Sequence, residues 1–560
     1  MPGLFLFLTT MENKTIARTL RLFSQLLDLH DENTFKVRSI SNAAFKVDKL
    51  PFALNSKTEA ELSVIDGIGK SIATKIHELI TSEHIVELDE LLSKTPQGVQ
   101  EIMQIKGIGP KKVATIWKEL EIESVGELYY ACNENRLIEA RGFGLKTQQE
   151  IIKLIEFKMA NNGRWLYAKV EAFAEDFIQK LAEYFPHTSI SLSGDYRRRM
   201  EIIDQLDVLI GISEDELQSH LIGEQLNQKL QFKTEEGLNI QFHCCTAEDF
   251  GWTLLQITGN AEHVAQLKQK LGNTSLSAKT EAEIYALASL DYIEPELREG
   301  QNEVDWAAKK QLPKLIELTN LKGSLHNHST WSDGVNTLEE MALYCKNELK
   351  IDYLGICDHS KSAFYANGLN EMRVAAQHRE IDVLNQKLAP FKIFKGIESD
   401  ILYDGSLDYA DEVLASFDFV VASVHSVLKM TEEKATERLI KAIENPYTTI
   451  LGHPTGRLLL SRSAYPINHK KVIDACATNN VVIEINANPL RLDLDWRWHQ
   501  YALEQGVLLA INPDAHRTEG FLDMHYGVLV GRKGGLTAKN CLNSFSLAEI
   551  DTFFKNSKPA

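Results

Sequence analysis

Histidines and carboxylates recur at the ends of apolar runs throughout the last third of the chain. GSLHNHSTWSDG carries His326, His328 and Asp333; LGICDHS carries Asp358 and His359; FKGIESDIL carries Glu398 and Asp400; FVVASVHS carries His425. TILGHPTG adds His453, VVIEINANP adds Glu484 and Asn486, and LLAINPDAH adds Asp514 and His516. A single histidine of this kind is most often a hydrogen-bonded structural residue. Ligand-competent side chains at one equivalent position in strand after strand are not accounted for by packing, and they point to a multinuclear metal centre. Imidazole and carboxylate without thiolate suit Zn or Mn, with Fe also admissible, and the pattern does not choose among them. Clustered divalent ions activate water and stabilise the charge of phosphoryl transfer, so the chemistry indicated is phosphoester hydrolysis.

Elements able to position these residues are written into the same stretch. From residue 320 onward apolar strands alternate with amphipathic helices, the pattern of a parallel α/β architecture. In a β/α barrel the C-terminal strand ends converge on one face, and an extended HxH puts both imidazoles on one side. Residues 320–560 resemble the PHP (polymerase and histidinol phosphatase) phosphoesterase domain, whose motifs run to about residue 540. The resemblance implies a (β/α)7 barrel with a trinuclear site. It implies His326, His328, Asp333, His359, Glu398, His425, His453, Asp514 and His516 as ligands, Glu398 bridging two ions. Glu398, His326, His328 and Asp514 are the residues expected to carry catalysis. Asp358, Asp400 and Glu484 are expected to accept from imidazole N–H groups instead of binding metal. Arg457 and Arg491 are candidates for holding substrate phosphate, with structural roles an equal alternative.

The N-terminal part reads as short helices separated by small loops. Three loops share a form: Asp66-Gly67-Ile68-Gly69-Lys70, Lys106-Gly107-Ile108-Gly109-Pro110-Lys111-Lys112 and Arg141-Gly142-Phe143-Gly144-Leu145-Lys146. Glycine permits the tight turn, and the following helix offers free backbone N–H groups to an anion. Such a loop holds a nucleic-acid phosphate without reading bases. Gly67, Gly69, Lys70, Gly107, Gly109, Lys111, Lys112, Gly142 and Gly144 are therefore expected DNA-backbone contacts. The loops resemble helix-hairpin-helix motifs, the third being the most degenerate.

Residues 161–315 mix helix and strand. FKVRSISNAA, SGDYRRRME, FGWTLLQITGNAEH and PELREG, together with the hairpins, resemble bacterial family X DNA polymerases. The resemblance implies residues 11–95 as an N-terminal hairpin domain, 96–160 as a fingers-like DNA-binding region, and 161–315 as an α+β nucleotidyltransferase-like palm with a thumb. Family members hold two Mg ions with three Asp. Here those positions fall on Gln205, Asp207 and Gln241, and neutral amides are poor Mg ligands. Asp204 lies three residues from Asp207, on the opposite face of a strand. The family's phosphate-binding Gly-Ser falls on Gly194-Asp195, which sets a negative charge where a triphosphate would lie. Nucleotidyl transfer is expected to be lost, and Mg at this remnant is disfavoured. Lys75 occupies the position of the family's lyase lysine, although a solvated or phosphate-contacting role is the simpler expectation.

The reading is a metal-dependent 3′–5′ exonuclease or related DNA phosphodiesterase of DNA repair. Its rivals are an active gap-filling polymerase with proofreading, a phosphatase acting on a small phosphomonoester, and a non-catalytic DNA-binding scaffold. With 560 residues, 44% hydrophobic and 25% charged, the chain is a multidomain globular protein. Seven cysteines without a CxxC pair favour a reducing, cytoplasmic setting. No membrane span is evident, the opening MPGLFLFLTT reads as an upstream-start extension, and no protein partner is indicated. The net charge of −18 at first sight disfavours DNA. Most of the acidic excess lies between residues 121 and 315, however, and residues 11–120 are balanced. DNA affinity is therefore expected to be modest and salt-sensitive.

Overall fold

The computed structural model describes residues 11–559, except 106, 139, 141, 161–162, 221–229, 235 and 273–276, and except the side chains of 157–160. The chain divides into two compact units, one comprising residues 1–129 and 137–155, the other 130–136 and 156–560.

The first unit is helical. Helices Asn13–Leu29 and Thr34–Asp48 pair through Ile16, Leu20, Phe23 and Leu27 on one side and Ile40, Ala43 and Val47 on the other. These positions recur at three and four residues, the spacing of a single buried helical face. Further helices follow at Lys70–Ser82, Val86–Lys94, Pro110–Ala114 and Leu145–Ala160. Gly67, Gly107 and Gly142 stand just ahead of three of them with φ of 81°, 89° and 88°, a region that other L-residues enter only with strain.

In the second unit a ribbon of β1 (Trp165–Leu166) and β3 (Ile202–Ile203) accompanies a four-stranded mixed sheet. Its order is β2 (Ile190–Leu192), β4 (Leu206–Ile210), β6 (Asn239–Cys244), β5 (Gln231–Lys233), with only β4 and β6 parallel. Helix Tyr167–Tyr184 packs on this sheet through Val170, Ala174 and Leu181. A short helix, Gly194–Arg197, follows β2.

The RRR run beyond it is drawn inward. Arg197 and Arg298 both grip Glu281, Arg197 at 2.7 Å through two nitrogens, and Arg298 is fully buried. Arg198 meets Asp195 at 2.5 Å and Glu299 at 3.0 Å, and Arg199 donates to the Tyr167 hydroxyl. Burial would raise the Glu281 carboxyl, but hydrogen bonds and charge from Arg197 and Arg298 hold it down at about 2. A carboxyl so depressed stabilises the fold above its unfolded value of about 4.3. That contribution is lost as pH falls from there through about 2. Glu281→Gln leaves two buried guanidinium groups without their counter-charge and is expected to cost about 3–5 kcal/mol at pH 7. Urea denaturation should show the gap to wild type narrowing as pH drops below about 4.

The remainder of the unit is a seven-stranded parallel sheet in sequential order: β7 (Gly323–Ser324), β8 (Tyr353–Ile356), β9 (Lys392–Asp400), β10 (Phe419–Ser423), β11 (Ile450–Leu451), β12 (Val482–Asn486) and β13 (Leu509–Asn512). Runs such as FVVAS and VIEIN are buried at every position, as expected of parallel strands covered on both faces. A parallel bridge from Asn327 to Ala515 and a hydrogen bond from the Leu325 N–H to Asn512 bring the first and last strands together, so the sheet is a nearly closed barrel. Leu325, Phe394, Phe419, Val421, Ile450 and Val482 fill its interior. Phe554, on the terminal helix Leu547–Asn556, stacks on Phe419 with centroids 4.8 Å apart.

Candidate functional site

Each barrel strand delivers its polar residues at or just past its C-terminal end. On β9 the period of two puts Phe394 and Glu398 on one face: Phe394 packs in the interior, and Glu398 stands at its mouth. The structure brings the other eight expected ligands together around this carboxylate. Glu398 Oε1 lies 3.2 Å from His326, 3.1 Å from His425 and 3.0 Å from His453; Oε2 lies 3.0 Å from His359 and 3.6 Å from His328. Asp514 approaches His328 at 3.1 Å, and Asp333 approaches His516 at 3.4 Å and His359 at 3.5 Å.

Three groups within this cluster have metal-binding spacing: His328, Asp333, His359 and His516; His326, His328 and Asp514; and His359, Glu398 and His425. A fourth joins Glu134 to Asp514 and His516. Sequence reasoning missed Glu134, and no local signal in YACNENR marks it. The cluster is deeply buried, yet His326 Nε2, both nitrogens of His328, Asp333 Oδ2, His359 Nδ1, Glu398 Oε2 and His516 Nε2 lack hydrogen-bond partners. Buried polar atoms are rarely left so. Orphaned nitrogens and carboxylate oxygens facing one another are what divalent cations satisfy, so the residues fit a metal.

Neighbouring groups orient the imidazoles. His326 Nδ1 meets Glu484 at 2.7 Å, His425 Nδ1 meets Asp400 at 2.5 Å, and His516 Nδ1 meets the Asp514 carbonyl at 2.9 Å. With Nδ1 so engaged, each Nε2 is turned to the centre. Asp400 and Glu484 thus stand where expected, but Asp358 does not. Its oxygens accept from Ser329, Ser332 and Gln377, with distances from 2.5 to 3.1 Å. Adjacent residues on an extended segment point to opposite sides, so Asp358 ties down the loop after the HxH while His359 faces the centre.

Electrostatics match a cation site. Burial opposes protonation of His425, but Glu398 and Asp400 outweigh it and hold the imidazole up at about 9. His328, with His516 and His359 beside it, is pushed down to about 4, chiefly by burial. His453 and Asp514 have left-handed backbones, φ 22° and 54°. Non-glycine residues adopt such conformations at a cost of about 1–3 kcal/mol, most often where function fixes the side chain. Of the two arginines singled out, Arg491 reaches the centre, 3.9 Å from Asp514. Arg457 instead clamps the Asp495 carboxylate and the Arg491 carbonyl, a structural role.

The polymerase remnant is a different environment. Asp207 Oδ1 receives Gln205 Nε2 at 2.8 Å and meets His243 Nε2 at 2.9 Å. Gln241, opposite Asp207 in the ladder, is hydrogen-bonded to Gln231 and to its neighbour's carbonyl. His243, two residues beyond Gln241 on the same face, was also missed, although the period of two would have found it. Gly194 is in the left-handed region, and a Cβ there would lie 2.5 Å from Asp207. Asp204 lies outside β4, paired with Arg164 at 3.2 Å. Among the described residues, Asp207 belongs to no cluster of three metal-competent side chains.

In the first unit, Gly69 and Gly109 cap their helices with ordinary extended backbones, and a Cβ on either, or on Gly144, would meet nothing within 4 Å. The fold therefore does not require glycine there, and bare N–H groups remain open to an approaching anion. Lys70 and Lys111 are exposed beside them, and Lys112 lies over the Phe143 ring. Lys106 and Arg141 lie outside the described residues, as does the opening decapeptide. Lys75 is held between Glu87 at 3.4 Å and Glu78 at 3.7 Å and is not presented as a free amine. No helix among the described residues is long and apolar enough to cross a membrane.

Comparison with known proteins agrees with this geometry. The helix-hairpin-helix domain family matches residues 11–85, and the SAM-like helix-hairpin-helix tandem family matches 59–121 and 99–155. The DNA polymerase/3′-5′ exonuclease PolX of Bacillus subtilis (strain 168) is 33% identical over 97% of this chain and 100% of its own length. Probable phosphatases of Thermoanaerobacter sp. (strain X514) and Acetivibrio thermocellus are each 30% identical, covering 32% and 34% of this chain and 74% and 78% of their own. Their similarity falls on the C-terminal part.

Proposed function

We propose that this chain, which belongs to the PolX family of DNA polymerase/3′-5′ exonucleases, works as a metal-dependent 3′–5′ exonuclease whose nucleotidyl transfer has lapsed. The observation that carries the reading is the contrast between its two sites. The barrel gathers nine ligand-competent residues, with Glu398 at their centre, whereas the polymerase-like site keeps one carboxylate of three, already hydrogen-bonded to an amide and near an imidazole. The four-part division at 11–95, 96–160, 161–315 and 320–560 belongs to the same proposal.

Mn or Zn, with Fe admissible, would be held by His326, His328, Asp333, His359, Glu398, His425, His453, Asp514 and His516. Bound divalent ions would supply Lewis acidity, activating water and stabilising the charge that develops on the phosphoryl group. The protein's own share is orientation and charge. Glu484 and Asp400 fix two imidazoles, the unpaired oxygen of Glu398 adds buried negative charge, and the interior packing keeps bulk water out from below. Arg491, 3.9 Å from Asp514, would meet a substrate phosphate. Chelation should abolish release of nucleotides from the 3′ end of a 5′-labelled oligonucleotide, and Mn should restore it. Faster turnover of a small phosphomonoester than of DNA would favour the phosphatase reading instead.

The hairpins would hold the DNA backbone through Gly67, Gly69, Lys70, Gly107, Gly109, Lys111, Lys112, Gly142 and Gly144. Lys70→Ala and Lys111→Ala are each expected to weaken binding on all sequences alike and to lower the salt slope by about 1. A fluorescence titration across salt concentrations reads this directly. Unchanged slopes would place the DNA elsewhere.

A further inference from the structure

Residues 130–136 lie in the hairpin-rich part of the sequence but belong to the second unit. They bring two buried polar side chains to the barrel centre. Tyr130, at the end of helix Val125–Asn133, donates its hydroxyl to Asp514 at 3.1 Å and accepts from Arg491 Nε at 2.9 Å, with the guanidinium over its ring. The Glu134 N–H bonds the Tyr130 carbonyl at 3.0 Å, so the helical turn continues and the two side chains share a face. Glu134 is only 8% exposed. Its carboxylate, an Asp514 oxygen and a His516 nitrogen lie within 4.8 Å of one another. Arg136 fixes the far end of the segment, its guanidinium 3.9 Å from the Tyr365 ring.

Two carboxylates buried side by side repel, and the arrangement is costly unless cationic charge lies between them. Arg491 and Arg136 supply part of it, at 3.9 Å from Asp514 and 3.7 Å from Glu134. His516 stands beside them with Nδ1 3.8 Å from Asp514, and its Nε2, 3.4 Å from Asp333, has no hydrogen-bond partner. A divalent cation would satisfy all three groups together.

We propose that Glu134 is a further metal-binding residue of the phosphoesterase centre, supplied from outside the barrel and sharing a divalent cation with Asp514 and His516. The proposal rests on the reading that the barrel cluster holds metal. It makes the centre composite: a segment continuous with the hairpin region completes a site that the barrel alone leaves open.

The test uses full-length wild type, Glu134→Gln and His326→Ala, stripped of metal and titrated with Mn by calorimetry, with thermal unfolding of each metal-free protein. Glu134→Gln is expected to weaken at least one Mn-binding step by about tenfold or more. The Tm of the metal-free variant should equal or exceed that of wild type, because the repulsion with Asp514 is gone. Those opposite directions separate a ligand from a merely structural carboxylate, whose loss would lower Tm and leave Mn binding alone. Mn binding equal to wild type overturns the proposal, as does raised nuclease activity at unchanged metal affinity, which would make the segment a plug. Should Glu134→Gln not fold, Glu134→Asp keeps the carboxylate and is expected to bind Mn more weakly than wild type; equal binding would again overturn the proposal. A wild type that binds no Mn, or a His326→Ala variant that binds as wild type does, would instead sink the reading of the barrel cluster itself.

Discussion

Glu398→Gln is expected to remove 3′–5′ exonuclease activity by about a thousandfold or more while leaving DNA affinity unchanged. The substitution keeps the side chain's shape and hydrogen-bonding reach but deletes one buried negative charge. That charge faces five imidazoles, three at Oε1 and two at Oε2, so no other single change touches as much of the cluster. An amide is a poor ligand for a divalent cation, and metal Lewis acidity contributes several kcal/mol to phosphoryl transfer. A loss of about 4 kcal/mol corresponds to a thousandfold in rate. DNA binding should survive because the hairpin loops belong to the other compact unit. Single-turnover digestion of a 5′-labelled oligonucleotide separates the two effects, and a variant cleaving within tenfold of wild type would contradict this assignment.

The second large effect is an absence that a rival reading requires to be a presence. On a gapped duplex with Mg or Mn and all four dNTPs, incorporation by wild type is expected to stay at the background of Asp207→Ala. Asp207 Oδ1 already receives Gln205 and lies at hydrogen-bond distance from His243, and the facing Gln241 amide is hydrogen-bonded within the sheet. Magnesium, which takes hard anionic oxygens at near-octahedral geometry, finds one carboxylate where the family uses three. The arginines that follow offer no substitute. Arg197 is clamped on Glu281, Arg198 on Asp195 and Glu299, and Arg199 on Tyr167. The Arg197–Arg199 run therefore serves as internal bracing. Template-directed extension that Asp207→Ala removes would show that the remnant is a working site.

How far the sequence leads depends on the range of the interactions involved. Barrel strands are legible because an apolar run buried on both faces followed by a histidine or carboxylate is a local pattern, and the nine candidate ligands follow from it together with the family resemblance. Asp358 shows the limit of position alone, since it sits beside His359 but points to the other side and binds serines. His243 was within reach of the strand period but not singled out. Tyr130 and Glu134 were out of reach. Their partners Arg491, Asp514 and His516 lie more than 350 residues away, and nothing in the spacing of YACNENR distinguishes a helix end facing solvent from one facing the buried histidines and carboxylates of the barrel. The acidic net charge misleads for a related reason: it averages over a balanced stretch at 11–120, an acidic one at 121–315 and a barrel whose buried carboxylates face imidazoles.

The central claim, that the barrel performs the chemistry and the polymerase-like site does not, is tested most directly on one gel. A 5′-labelled oligonucleotide with a recessed 3′ end is incubated with Mn, with and without dNTPs, and with wild type, Glu398→Gln or Asp207→Ala. The expected result is a ladder of shortened products from wild type and Asp207→Ala alike, none from Glu398→Gln, and no product longer than the starting strand in any lane. Elongated products that vanish with Asp207→Ala, or an undiminished ladder from Glu398→Gln, would contradict it.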